Sequence, residues 1–157
     1  MNIKTFLFAV LCMCLSTAAH AQTVEFRGGG VLEFKTNACK PEGWPGAGSS
    51  EPVNVRFRPA GVGSNSNETR LSVIFPYGAM SFRVPGKLNN NFKTTQSINV
   101  FSKAFENNPK SRARATKITP ANINANTQTV RLQVQFRFFD GINNCNVNLD
   151  APLYKRR

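Results

Sequence analysis

The sequence predicts a small antiparallel β-sandwich of about eight strands with one disulfide, on three observations. Apolar residues recur with period two rather than 3.6 in almost every segment. Turn clusters rich in Gly, Pro, Asn and Ser punctuate those segments at short intervals. Two cysteines, Cys39 and Cys145, stand near opposite ends of the expected domain.

The chain starts with Met1-Asn2-Ile3-Lys4, an apolar stretch from Phe6 to Leu15, and Ser16-Thr17-Ala18-Ala19-His20-Ala21. A positive start, an apolar middle and a small-residue A-x-A site are the parts of a secretory signal. Residues 1–21 are therefore expected to be a cleaved signal peptide and residues 22–157 a single β-sandwich domain, exported to the periplasm or outside the cell. The apolar stretch is well short of the roughly 20 residues a spanning helix needs. Met13 occupies the position where a lipid-modification site at Cys14 would want a small residue, so Cys12 and Cys14 are expected to leave with the signal.

Cleavage removes His20, the only histidine, and leaves Cys39 and Cys145 as the only cysteines. In an oxidising compartment their one intramolecular pairing is a disulfide. It closes a loop of 106 residues, for which the chain-entropy model gives at most about 4–5 kcal/mol.

Taken in order, the expected strands are Thr23 to Arg27, Val31 to Thr36, Pro52 to Arg58, Thr69 to Phe75, Ala79 to Val84, Ser97 to Ala104, Arg112 to Ile118 and Val130 to Phe139. In the third, Val53, Val55 and Phe57 alternate with Asn54, Arg56 and Arg58, so one face is buried. Gly28-Gly29-Gly30 reads as a turn or bulge between the first two strands. A phosphate loop needs a helix after its glycines, and here Val31-Leu32-Glu33-Phe34 continues as a strand.

Asp140-Gly141 after Val130 to Phe139 signals a two-residue hairpin turn. With Phe139 opposite Ile142, Cys145 faces Phe136, Val147 faces Val134, Leu149 faces Leu132 and Asp150 faces Arg131. The apolar faces of the two strands then coincide. Cys145 is expected to point into the core, and its bond to Cys39 to join the two sheets.

Loss of the histidine removes Ser-His-Asp and Cys-His mechanisms from the mature chain. No carboxylate spacing resembles a calcium loop or metal cluster, so no metal, cofactor or catalytic residue is assigned and the protein is expected not to be an enzyme. Trp44, the only tryptophan, lies in the Lys40 to Ser50 loop. It reads either as a ligand or partner platform or, preferably, as a plug over one end of the domain.

Charge is the remaining functional signal. The whole chain carries 20 Lys and Arg against 8 acids. Such an excess attracts polyanions. The densest run, Lys103, Lys110, Arg112, Arg114 and Lys117, is the candidate anion-binding set, with Arg112 and Arg114 on one face of a strand. Phe101, Phe105 and Phe139 lie among these basic residues as candidate stacking surfaces for single-stranded nucleic acid.

The leading expectation is a non-enzymatic exported binding or structural module contacting an acidic polysaccharide, a lipid surface or another polyanion. Two alternatives stand beside it: a protein-binding subunit or inhibitor of a secreted enzyme, and a histidine-free hydrolase using paired carboxylates.

Overall fold

Residues 23–99 and 111–156 are described in a computed structural model. The expected signal, Lys103, Lys110, Phe101 and Phe105 lie outside these residues, as does the end of the Ser97 to Ala104 strand. Among the described residues nine strands are formed: β1 (Phe26–Phe34), β2 (Ser50–Arg58), β3 (Glu68–Phe75), β4 (Gly78–Pro85), β5 (Lys93–Thr94), β6 (Gln96–Asn99), β7 (Arg112–Thr119), β8 (Thr129–Arg137) and β9 (Asn146–Lys155). The all-β antiparallel class and the Cys39–Cys145 disulfide are as expected. The strands form one sheet in the order β5-β7-β8-β9-β1-β2-β3-β4-β6, which curls into a nearly closed barrel instead of dividing into two sheets.

Closure depends on a single short segment. Lys93 and Thr94 pair with Ala113 and Arg112 of β7, and Gln96 to Asn99 then pair with Arg83 to Met80 of β4. One stretch of chain thus joins the two edges of the sheet and leaves little edge to be covered. At the crossing point the Thr95 N–H donates to the Ser111 carbonyl at 2.8 Å, and the Ser97 and Ser111 hydroxyls lie 3.1 Å apart. All three residues are buried, so these bonds satisfy polar groups that would otherwise be costly inside the barrel.

Inward positions supply one apolar core, with Phe26, Phe34, Phe57, Phe82, Phe136 and Phe139 among its largest fully buried side chains. Outward positions on the same strands carry arginines and amides. This polarity is the reverse of a membrane barrel, whose lipid-facing surface is apolar. Among the described residues no helix is long and apolar enough to cross a membrane.

Three local expectations are corrected. Gly28-Gly29-Gly30 is the interior of β1, not a turn between strands. The paired residues of β1 and β9 stop at Arg27 and Tyr154 and resume at Val31 and Asp150. Between them the chains approach so closely that a Cβ on Gly28 would lie 2.2 Å from the Pro152 carbonyl oxygen, and one on Gly30 2.8 Å from the Ala151 Cβ. Glycine is required there by lack of room.

The β8–β9 hairpin is shifted by two residues, so that Phe136 faces Val147, Val134 faces Leu149 and Gln133 faces Asp150. The Asp-Gly turn does form: Asp140 and Gly141 both have positive φ, and the Ile142 N–H donates to the Phe139 carbonyl at 3.1 Å. A second turn follows directly, with Asn144 at φ 59° and the Cys145 N–H donating to the Ile142 carbonyl. The extra turn moves the register by two, and because side chains alternate with period two, every residue keeps its face.

The disulfide is likewise not an inter-sheet bond. Cys39 lies in a short 3-10 helix, Asn37–Glu42, directly after β1, and Cys145 directly precedes β9. Since β1 and β9 are neighbours, the bond clamps the end of one strand to the start of the next across the sheet.

Candidate functional site

The outer face of β7 and β8 gathers the described part of the sequence-predicted basic set. Arg112 and Arg114 both point outward, as alternation requires. Lys117 breaks the parity and would face the core in a regular strand. A bulge between Ala115 and Lys117 inserts Thr116, so that Lys117 pairs with Gln133 and stays on the outer face. The bulge re-aims one side chain.

Two further residues complete this face, both missed in the sequence because they lie far from the run. Arg137 is directly opposite Arg112 across the β7–β8 ladder. Phe92, in the loop before β5, contacts two guanidinium groups, with the Arg137 Cζ 4.2 Å and the Arg114 Cζ 4.6 Å from its ring centroid. Such contacts fix the guanidinium planes by cation–π attraction. Arg114 is held further by its Nε donating to the Gln135 carboxamide oxygen at 2.9 Å. Among the described residues, no carboxylate lies within ion-pair distance of Arg112, Arg114, Lys117 or Arg137.

Among the described residues, four carboxylates are paired with other cations. Asp150 takes a two-pronged contact from Arg131, with Nε to Oδ1 at 3.1 Å and Nη2 to Oδ2 at 2.9 Å, and a third bond from Gln133. The Arg131 hydrogen bond outweighs partial burial and holds the Asp150 carboxyl below its ordinary pKa. Glu25 is buried, with 4% of its surface exposed, and accepts from both Arg27 and Arg58. Burial pushes its pKa up, but the hydrogen bonds and charges of the two arginines more than offset this and leave it below the ordinary value. Glu33 pairs with Lys35 and Glu68 with Arg70.

Trp44 is half-buried and packs against the aromatic core. Its ring packs 5.1 Å from Phe75, 5.2 Å from Phe139 and 6.0 Å from Phe34, and its indole N–H donates to Asp140 at 3.2 Å. Phe139 is fully buried, which corrects its expected role as a stacking surface. Phe92 already carries a guanidinium contact from each of two arginines. A polymer on this face would therefore meet charge rather than free aromatic rings.

Comparison with protein-family models, with curated proteins and with solved structures gives no match for this chain.

Proposed function

We propose that the protein is an exported, non-enzymatic binding module that holds a linear acidic polysaccharide on the outer face of β7 and β8. One observation carries the reading: Arg112 stands directly opposite Arg137, and neither is in an ion pair with a carboxylate among the described residues. Like charges directly opposite in a sheet cost roughly 0.2–1 kcal/mol, and an anion lying across the pair converts that cost into binding. The Phe92 ring holds the neighbouring Arg114 and Arg137 guanidiniums in place before any ligand arrives, which lowers the ordering cost of binding.

Salt-gradient elution from a heparin column tests the reading. The Arg112→Gln/Arg114→Gln/Lys117→Gln variant should elute at clearly lower salt, with a salt slope shallower by roughly one for each cation removed. Arg112→Gln alone should also raise stability by a few tenths of a kcal/mol at low salt, a gain that disappears near 1 M salt, where screening is about 3 Å. Unchanged elution of the triple variant would refute the assignment of this face.

A further inference from the structure

Five arginines from four strands converge on a second outer face, formed by β1 to β4. The ladder pairs Arg58 with Arg70 and Arg70 with Arg83, giving three arginines in one transverse row over three neighbouring strands. In the adjacent row Arg27 pairs with Arg56. Neighbouring strands are about 4.8 Å apart, so the row sets positive charges at about the spacing of successive rings in a linear polysaccharide. Buried Glu25 serves Arg27 and Arg58, and Glu68 serves Arg70. Arg56 and Arg83 have no carboxylate partner among the described residues, and the face as a whole retains excess positive charge.

The position of this face follows from the topology. With Lys93–Asn99 taken as the single segment that joins the edges, the ring has eight strand positions, and the β2–β3 pair lies four positions from the β7–β8 pair. The two arginine-rich faces are therefore on opposite sides of the barrel. On β9, which separates them on one side, the outward acid Asp150 is paired with Arg131, and Glu33 near the end of β1 is paired with Lys35. A planar lipid surface could engage only one face at a time, whereas two polymer chains can each take one.

We infer that the protein is bivalent, holding one acidic polysaccharide chain on β7–β8 and a second on β1–β4, and so bridges chains. This rests on the polyanion reading above for its first face. The probe is a heparin hexasaccharide, too short to wrap the barrel, titrated by calorimetry into the full mature protein. Long-chain heparin is mixed with the protein in parallel and followed by turbidity.

Wild type should bind two hexasaccharides and turn long-chain heparin turbid. Arg56→Gln/Arg70→Gln/Arg83→Gln, which spares both arginines of the Glu25 pair, should bind one and lose turbidity while melting no lower than wild type. The β7–β8 triple variant should also bind one. A wild-type stoichiometry of one, abolished by the β7–β8 substitutions alone, would overturn bivalence and leave the first face standing. Absence of any binding would overturn both.

Discussion

The three consecutive glycines of β1 should respond in three different ways to the same substitution. None has the positive φ that alone would forbid a side chain, so each outcome is decided by space. At Gly29 an added Cβ points outward and meets nothing closer than the Val53 carbonyl oxygen at 4.0 Å. Gly29→Ala should therefore stabilise by about 0.5 kcal/mol, because alanine loses less backbone entropy on folding. At Gly30 the Cβ would lie 2.8 Å from the Ala151 Cβ and 2.9 Å from the Asp150 oxygen, an overpacking worth about 1–3 kcal/mol of destabilisation. At Gly28 it would lie 2.2 Å from the Pro152 oxygen. That obstacle is backbone, so β1 and β9 must part by about 1 Å to reach normal contact, and the loss should be about 3 kcal/mol or more. Urea unfolding of the oxidised domain reads all three, with the midpoint moving and the slope unchanged. Equal effects at the three positions, or Gly29→Ala as the most damaging, would refute the close-approach explanation.

Glu25 and the disulfide give two further tests. The folded Glu25 carboxyl titrates below its ordinary value, so its contribution is full above the ordinary carboxylate range and is lost as pH falls through the folded value. Glu25→Gln should cost about 1–2 kcal/mol at pH 7, the figure being held down by the partial exposure of both arginines, and the gap to wild type should narrow by pH 3. A gap independent of pH would remove the ion pairs as its cause. For the disulfide, Cys39→Ser/Cys145→Ser should lose up to about 4–5 kcal/mol in chemical denaturation, because the bond closes a loop of 106 residues in the unfolded chain. A loss below about 1 kcal/mol would contradict that origin.

Alternation made the inside and outside of the regular strands legible in the sequence. Val53, Val55 and Phe57 face the core, and Arg112 and Arg114 face outward, because the two-residue period is a local property of extended backbone. The same period preserved the faces of β8 and β9 when the Ile142 to Cys145 turn shifted their register by two. Asn143-Asn144, a pair that tolerates positive φ, was the signal for that turn. The cysteine pairing was legible too, since setting Cys12 and Cys14 aside with the expected signal leaves Cys39 and Cys145 one partner each.

Only the tertiary structure decided which strands are neighbours, and with them every surface that has functional content. Arg58, Arg70 and Arg83 belong to three strands, and nothing in their spacing along the chain announces that the ladders set them in one row. Arg137 meets Arg112 in the same way, and Lys117 joins them through a bulge that breaks the alternation of β7. Gly28 and Gly30 looked like a turn because the obstruction that demands them is β9, more than 100 residues away in sequence. The cause is common to all four cases. A residue's face is set by its own backbone, whereas its cross-strand neighbour is set by the register in which whole strands pair, which turn lengths and bulges fix.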